Sequence, residues 1–203
     1  MDAGTPPLPG LDDVGIPGRL TYLRPVERED APLLRFLMND PLVTSTTVGF
    51  NLPVSTDDQQ RWIDGPRRTP DGPWHFTIVE RSSRRAVGIT TVGDVDWLNR
   101  TATNGTKIHP SVQRSGLALD AGMARLAWCF FILGLHRINS SALETNAASI
   151  AALEKAGYVY EGRRRQAVLR DGRRVDLLLY GLLREEAERH PLMPEYRDLV
   201  LGR

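Results

Sequence analysis

Residues 116–133 constrain the fold most strongly, because they predict a helix that is apolar on almost every side. A helix at a protein surface has one apolar stripe, whereas a helix without a polar face is buried on most sides. A strand is predicted before this helix at residues 102–108, and another follows it at residues 137–143. The sequence therefore predicts a helix that packs across the middle of a sheet.

The other segments alternate between strand and helix patterns. Ser55 is typical of a helix N-cap, and Asp171-Gly172 is a strong hairpin turn. Phe36 and Trp62 are predicted to face the core from the first two helices. The predicted strands are residues 20–24, 74–79, 86–95, 102–108, 137–143, 158–170 and 173–183. The predicted helices are residues 27–38, a segment after Ser55, residues 116–133 and 146–156, and a short helix within 185–201. This order predicts an α/β fold with a mixed, twisted sheet and helices on both faces.

Length and composition indicate one ordinary globular domain. The chain has 203 residues, of which 41% are hydrophobic and 25% are charged, so it can bury a core without covalent staples. Residues 1–18 contain four prolines and four glycines, and they predict a flexible segment before a single domain at residues 19–203. Cys129 is the only cysteine, which excludes an intramolecular disulfide, and no cysteine–histidine cluster has the spacing of a metal site.

Charge and hydropathy restrict the partners and the location of the chain. A net charge of +1 argues against a general nucleic-acid partner. The longest apolar run, around residues 127–135, is too short to span a bilayer, and the N-terminus lacks the pattern of a signal peptide. We therefore expect a cytoplasmic protein without a membrane partner.

A loop with one glycine separates the strand that ends before Pro110 from the buried helix. The first N–H groups of a helix have no internal partners and carry partial positive charge, so together they form an anion site. Gly116 lets a phosphate approach the main chain, Ala118 is also small, and Arg114 adds positive charge. The predicted phosphate-binding residues are Gln113, Arg114, Ser115, Gly116, Leu117 and Ala118.

This loop lacks the features of two common phosphate motifs. The nucleotide P-loop ends in Gly-Lys-Ser/Thr, and the dinucleotide fingerprint contains three glycines. The remaining pattern, Gln/Arg-x-x-Gly-x-Gly/Ala, resembles the pyrophosphate loop of the GNAT acetyltransferase superfamily. Further segments are similar in order and spacing to the Rim-type branch of that superfamily, and the resemblance spans residues 20–184. These segments are residues 96–100, 135–138, 144–150, 154–158, 161–162 and 170–176.

The resemblance implies the GNAT fold, which has a mostly antiparallel sheet with one splayed parallel strand pair, and acetyl-CoA as the acyl donor. In GNAT proteins the pantetheine arm of the cofactor lies between the splayed strands. Carried over to this chain, the main chain at Lys107 and Ile108 takes the pantetheine arm and the acetyl carbonyl, and residues 113–118 take the pyrophosphate. Asn146 matches a residue that contacts the pantetheine arm, and it is also an expected helix N-cap. Ser149 matches the position that handles the leaving thiolate.

The implied reaction is direct attack of a neutral primary amine on the thioester in a ternary complex. The amine must lose a proton to a base or to water, and the oxyanion needs hydrogen-bond donors. The chain departs from the family at Leu153, Thr103 and Val168, which stand where relatives carry a tyrosine or a glutamate. The resemblance therefore assigns no base. The remaining candidates for the base are Asp96, Glu144 and His75.

The resemblance leaves the acceptor open among a small-molecule amine, an amino sugar and a protein N-terminus. The last hairpin carries six arginines, which disfavour a polycation if they face the acceptor but are otherwise a solvated basic surface. These are Arg163, Arg164, Arg165, Arg170, Arg173 and Arg174. Trp62, Trp74 and Trp97 are candidates either for the acceptor wall or for the core. Asp176 and Tyr180 are candidates to approach the acceptor by resemblance.

Two alternatives stay open at this point. Because the usual acid and base positions are vacant, the chain could instead be a catalytically degenerate GNAT-like module that binds acyl-CoA. Dimerisation is common in the Rim-type branch, so a homodimer is the other open alternative. Cys129 lies in the predicted buried helix, and we expect it to pack in the core rather than act as a nucleophile.

Overall fold

The computed structural model describes residues 15–49, 52–65, 69 and 71–203, and an eight-stranded sheet forms its centre. The strands are β1 (Ile16–Pro17), β2 (Thr21–Pro25), β3 (Trp74–Glu80), β4 (Ala86–Asp96), β5 (Thr101–Ile108), β6 (Arg137–Leu143), β7 (Val159–Arg170) and β8 (Arg173–Leu183). Their spatial order is β1-β2-β3-β4-β5-β6-β8-β7. Among these described strands, β5 and β6 form the one parallel pair. This confirms the predicted α/β fold with a mixed, mostly antiparallel sheet.

Helices cover both faces of this sheet. They are α1 (Ala31–Asn39), α2 (Pro41–Thr44), α3 (Thr56–Asp64), α4 (Leu117–Ala127), α5 (Ala147–Lys155), α6 (Arg184–Glu188) and α7 (Met193–Leu201). Successive residues of a strand point to opposite faces. In β4, Ile89 packs with Leu34 of α1 and Ile63 of α3, whereas its neighbour Thr90 contacts Arg125 of α4. We therefore call the two sides of the sheet the α1 face and the α4 face.

The helix that the sequence predicts at residues 116–133 is α4, continued by one π-helical turn at Trp128–Ile132. Gly116 is its N-cap and has a φ of +87°, in the left-handed region that favours glycine. Most α4 side chains are buried, and several have no exposed surface. The latter are Ala121, Met123, Ala124, Leu126 and Ala127. Their burial confirms that this helix packs across the sheet.

Asp30, immediately before α1, fastens that helix to β2 and β3. Its carboxylate accepts hydrogen bonds from both terminal nitrogens of Arg24, at 2.7 and 2.8 Å, and from Thr77 Oγ1 at 2.6 Å. The main-chain N–H of Glu27 donates a further bond. Burial by itself would raise the pKa of Asp30, but these hydrogen bonds outweigh it and lower the pKa. The start of α1 is therefore held against the sheet by a charged, fully partnered carboxylate.

Three predictions about local structure are wrong. The flexible segment predicted for residues 1–18 does not extend to Ile16–Pro17, which pairs with β2 and buries Ile16; residues 1–14 lie outside the described part of the chain. Phe36 and Trp62 are each 38% exposed, because they lie at the edge of their helix stripes beside the buried Leu37 and Ile63. The C-terminal tail forms two helices, α6 and α7, instead of one.

Candidate active site

A gap opens inside the sheet between β5 and β6. Their parallel pairing stops at Thr103 and Asn139, after which β5 follows β4 as far as Ile108 and β6 follows β8 as far as Leu143. Gly105 lies in the middle of the sheet and is nevertheless exposed, because no strand covers that side of β5. We call this opening the β5–β6 gap. It matches the splayed strand pair that the resemblance implies.

The ladder between β4 and β5 decides which main-chain groups face the gap. The N–H of His109 donates to the carbonyl of Val87 at 2.8 Å. These two opposed residues therefore occupy a hydrogen-bonded position of the antiparallel ladder. Alternation then turns the main chain of Lys107 towards β4, and the main-chain groups of Thr106 and Ile108 towards the gap. The prediction is therefore corrected at one residue. Ile108 faces the gap as expected, but Thr106 rather than Lys107 supplies the second set of main-chain groups.

The predicted phosphate loop leads from the end of β5 into α4. Arg114 and Gly116 both have positive φ, at 65° and 87°, so the loop turns sharply before the helix. Ser115 closes the turn by donating from Oγ to the carbonyl of Val112 at 2.6 Å. The loop residues before Leu117 are exposed, and the first-turn N–H groups of α4 have no partners within the helix. The N-terminus of α4 is thus exposed at the end of the gap, with main-chain donors that no residue of the helix satisfies.

Asn146 and Ser149 lie at the same end of the gap, on the side of β6. Asn146 is the N-cap of α5, because its Oδ1 accepts from the N–H of Ser149 at 3.0 Å. Its Nδ2 donates to the carbonyl of Thr46 at 2.9 Å and so holds the segment after α2. Since β5 and β6 are parallel, the N-termini of α4 and α5 both lie at the carboxyl edge of these strands. Two positive helix ends therefore flank the opening.

The three candidate bases lie in different places. Asp96 is in the β4–β5 turn at the closed end of the gap, where hydrogen bonds from the main chain and side chain of Asn99 lower its pKa. Glu144 follows β6 at the open end, and its Oε1 accepts from the N–H of Asp176 at 2.8 Å. His75 is on the α1 face of β3, where its Nδ1 is 3.0 Å from Thr91 Oγ1. The structure does not bring these three side chains together.

His75 is the candidate that lies in one row of the sheet with an exposed glycine. His75 pairs with Thr91, and Thr91 pairs with Gly105, so the three residues form a row across β3, β4 and β5 on the α1 face. A Cβ added to Gly105 would meet no atom within 4 Å. The row therefore ends at Gly105, above which the α1 face is open directly beside the gap. Trp62 packs edge-on against His75 with a ring separation of 4.9 Å and forms a wall of this space.

The other aromatic and hairpin candidates have structural contacts. Trp74 packs against Trp97 and Trp128 and belongs to the core of the α4 face, whereas Trp62 lies on the α1 face beside His75. Asp176 accepts from the N–H of Gln166 at 2.8 Å and so supports the bulge of β7. The structure therefore places Trp74, Trp97 and Asp176 in supporting positions.

The remaining candidates divide between buried and surface positions. Tyr180 is 3% exposed, and Cys129 is buried in the core as predicted, where burial raises its thiol pKa to about 12. In the basic hairpin, Arg163 pairs with Asp176, and Arg170 donates to the carbonyl of Gly49 at 2.9 Å. Arg164, Arg165, Arg173 and Arg174 are exposed. This part of the hairpin is thus a solvated basic surface.

Sequence reasoning missed a polar cluster on the α4 face beneath the gap. Arg125 is 4% exposed, and its terminal nitrogen donates to Thr106 Oγ1 at 2.8 Å and to Thr90. Asn104 contacts the hydroxyl of Tyr158 and accepts from Ser140 Oγ, on the opposite strand, at 3.1 Å. The cluster consists of Arg125, Thr90, Thr106, Asn104, Tyr158 and Ser140. The cluster links β5 to β6 at the point where they separate. Its signal in the sequence was a lone arginine within an apolar helix.

Within the described ranges, no group of histidine, cysteine and carboxylate side chains could hold a metal ion. No helix in that same part of the chain is long and apolar enough to cross a membrane.

Comparison with known proteins shows which family this chain belongs to. A family model described as an acetyltransferase (GNAT) domain matches residues 19–159. The prophage-derived uncharacterized N-acetyltransferase YokL of Bacillus subtilis is 25% identical over 171 residues, which cover 84% of this chain and 94% of that protein. The spermidine N(1)-acetyltransferase of Vibrio cholerae is 24% identical over 155 residues, which cover 76% and 88% of the two chains.

A solved structure shows the same fold. The crystal structure of spermidine N-acetyltransferase from Vibrio cholerae, in complex with CoA and spermine, superposes with a TM-score of 0.77. The identity is 21%, and the superposition covers 84% of this chain and 99% of that one. The eight-stranded sheet, the parallel pairing of β5 with β6 and the match to the family model all point to the same family. The chain belongs to the GNAT acetyltransferase family and is an N-acetyltransferase that uses acetyl-CoA as its cosubstrate.

Proposed function

We propose that the protein transfers the acetyl group to a primary amine by direct attack, in a ternary complex within the β5–β6 gap. The gap itself carries this proposal, because it starts beyond Thr103 and Asn139 and opens between two helix N-termini. The main-chain groups of Thr106 and Ile108 that face the gap can bind an extended, amide-containing arm in the manner of an added strand. An arm of this type is the pantetheine part of acetyl-CoA.

The open end of the gap suits the charged part of the same molecule. We infer that the pyrophosphate binds the first-turn N–H groups of α4, with Arg114 adding charge and Gly116 allowing close approach. The residues of this proposed cradle are Gln113, Arg114, Ser115, Gly116, Leu117 and Ala118. Asn146 keeps a second lone pair on Oδ1, with which it can accept from the pantetheine arm while it caps α5.

The chain supplies groups for each proton movement. Acetyl-CoA, when bound, supplies an acetyl group activated as a thioester. We propose that His75 takes the proton of the amine through a water molecule, because it lies in one row of the sheet with the open position at Gly105. Asp96 and Glu144 stay as alternative bases, but Asp96 is at the closed end of the gap. We propose that Ser149, in the first turn of α5, donates a proton to the leaving thiolate.

These two roles predict different kinetic changes. Replacing Ser149 with alanine should lower kcat by about 10- to 100-fold and leave the Kd for CoA unchanged, because it removes a proton donor used only in the reaction. Replacing His75 with glutamine should lower kcat, because the imidazole that we propose takes the proton of the amine is lost. Steady-state kinetics from pH 5.5 to 9 measure both effects, and Thr145→Ala, an exposed neighbour of α5, is the control. If both variants have the same kinetics as the wild-type protein, neither Ser149 nor His75 has the role that we propose for it.

The acceptor is proposed among the classes that the family resemblance leaves open: a small-molecule amine, an amino sugar or a protein N-terminus. A polyamine belongs in any test, since a relative described above is a spermidine N(1)-acetyltransferase. The Rim-type branch is likewise a proposal, supported by residues 144–150 and 154–158 of this chain, whereas the relatives described above carry other names.

The proposed function is tested by incubating the protein with acetyl-CoA and a panel of amines. The panel contains polyamines, amino sugars, amino acids and short peptides with free N-termini. We expect free CoA thiol to appear with at least one class and calorimetry to show CoA binding. No thiol with any acceptor, together with no CoA binding, contradicts the proposal. Binding without any turnover instead supports the alternative of a degenerate acyl-CoA-binding module, which the vacant Leu153 position motivates.

A further inference from the structure

A cavity of about 550 Å³ lies on the α1 face, between α1, α2 and the start of α3. Its volume is in the range of sites for small molecules. Arg35 and Met38 of α1 line one side of it, and Asp58 lines the other. Asp30 and its partners hold the start of α1 against the sheet, so this wall has a defined position. The cavity is separate from the α4 end of the gap, where the proposed pyrophosphate site lies.

Lys107 of β5 contacts Met38, one of the residues that line this cavity, from the side of the sheet. Its cross-strand partner Ile89 packs under α1, so the side chain of Lys107 points to the α1 face. Its Nζ is 3.1 Å from the Sδ of Met38, which lines the cavity. Gly105 is two residues earlier on the same face, about 6.5 Å away along the strand, and the space above it is open. A short molecule can therefore reach from Lys107 to the opening beside the gap.

The positive charge of Lys107 has no ion pair with a carboxylate among the described residues. The ammonium group is half-buried, and its polar contact is a thioether, which is a weak acceptor. No carboxylate in the described part of the chain forms an ion pair with it, and burial lowers its pKa. Asp58 does not compensate, because Ser55 and Arg61 already bind its carboxylate. Arg35 likewise has no ion pair with a described residue and adds a second positive charge to the cavity.

We propose that the acceptor is a small primary amine that carries a carboxylate, and that Lys107 with Arg35 binds this carboxylate while the amine approaches the acetyl group over Gly105. An anion would supply the charge partner that a half-buried ammonium otherwise lacks. The same charges repel a diamine or polyamine, whose distal ammonium would enter the cavity. This inference rests on the proposed function and names the substrate class of its site.

Three acceptors of equal length differ only in the group at the end opposite the reacting amine, so they measure the effect of that group. They are 5-aminopentanoate, 5-aminopentanol and 1,5-diaminopentane. We expect kcat/KM to be highest for 5-aminopentanoate and lowest for the diamine. Lys107→Met should lower kcat/KM for 5-aminopentanoate at least tenfold and change that for 5-aminopentanol by less than twofold. Lys107→Glu should reverse the preference in favour of the diamine. Lys155→Met is the matched control, because it removes the one other lysine of the chain, which is exposed at the end of α5.

Preference of the wild-type protein for the diamine overturns the inference, and so does an equal loss for all three acceptors in Lys107→Met. A second measurement does not depend on turnover. Reductive ¹³C-methylation labels both lysines, and Lys107→Met assigns their NMR signals. Added pentanoate should shift the signal of Lys107 and leave that of Lys155 unchanged; absence of this shift also overturns the inference. If no amine is acetylated but the shift occurs, the proposed function fails while the anion site stands.

Discussion

Replacing Gly116 with valine should weaken CoA binding at least about tenfold while the protein stays folded. Gly116 has a φ of +87°, a conformation that costs other residues about 1–2 kcal/mol. A Cβ there meets its nearest protein atom, on Leu20, only at 3.8 Å, so the added group causes no collision inside the protein. We expect the valine side chain to occupy the space in front of the first-turn N–H groups of α4, where we propose that the pyrophosphate binds.

The donor molecule can be varied to locate this effect. Calorimetry should show the weaker binding with CoA, whereas acetyl-pantetheine, which lacks the pyrophosphate, should be used by Gly116→Val within about threefold of wild type. Gly134→Val is the matched control, since Gly134 also has a positive φ, of 67°, and has open space at its Cβ, but it lies after the π-helical turn. CoA binding by Gly116→Val that equals wild type would mean that the pyrophosphate lies elsewhere.

Replacing Asp120 with alanine should lower the free energy of unfolding by about 3–5 kcal/mol, the largest stability effect that we expect in this chain. Asp120 is 3% exposed and lies in the first turn of α4. Its carboxylate accepts from the N–H groups of Arg19, Leu20 and Thr21, at 3.0, 3.1 and 2.8 Å. The hydroxyls of Thr21 and Tyr196 donate to it as well. Alanine would leave these donors without an acceptor at the junction of β2, α4 and α7.

Urea unfolding at neutral pH measures this loss, and a thermal scan should show a melting temperature lower by about 10 °C. Glu195→Ala is the control, because its ion pair with Arg19, at 3.0 Å, is exposed and should contribute less than about 1 kcal/mol. A loss in Asp120→Ala no larger than that in Glu195→Ala would contradict the structural role. Asp120→Asn should fall between wild type and alanine, since its amide oxygen keeps one acceptor.

Local signals account for the elements that the sequence predicted well. The Asp171-Gly172 turn has φ values of 48° and 73°, as a two-residue turn between twisted strands requires. Ser55 caps α3, with its Oγ accepting from the N–H of Asp58 at 3.0 Å. The burial of α4 follows from its composition, because a helix without a polar face has no other stable environment. Each of these features depends on neighbouring residues, so a single sequence is enough to predict it.

The arrangement of the site could not be predicted in the same way, because it depends on contacts between segments that are distant in the sequence. Strand patterns with a period of two show that β5 has two faces, but not which face meets α1, so the cavity contact of Lys107 with Met38 could not be predicted. Whether the main chain of Lys107 or that of Thr106 faces the gap depends on the register of β4 and β5. Likewise, the amide of Asn146 reaches Thr46, a hundred residues away in the chain.

The sequence by itself determined the order of the main strands and helices, the buried helix, the loop with one glycine that precedes it and, through its resemblance, the family. Only the tertiary structure decided where β5 and β6 separate, that His75 lies in one row of the sheet with Gly105, and that the half-buried ammonium of Lys107 contacts a methionine that lines a cavity. The physical reason is the range of the interactions. Capping, turn and helix preferences act within a few residues, whereas strand register and charge environment are set by packing between segments that are far apart in sequence.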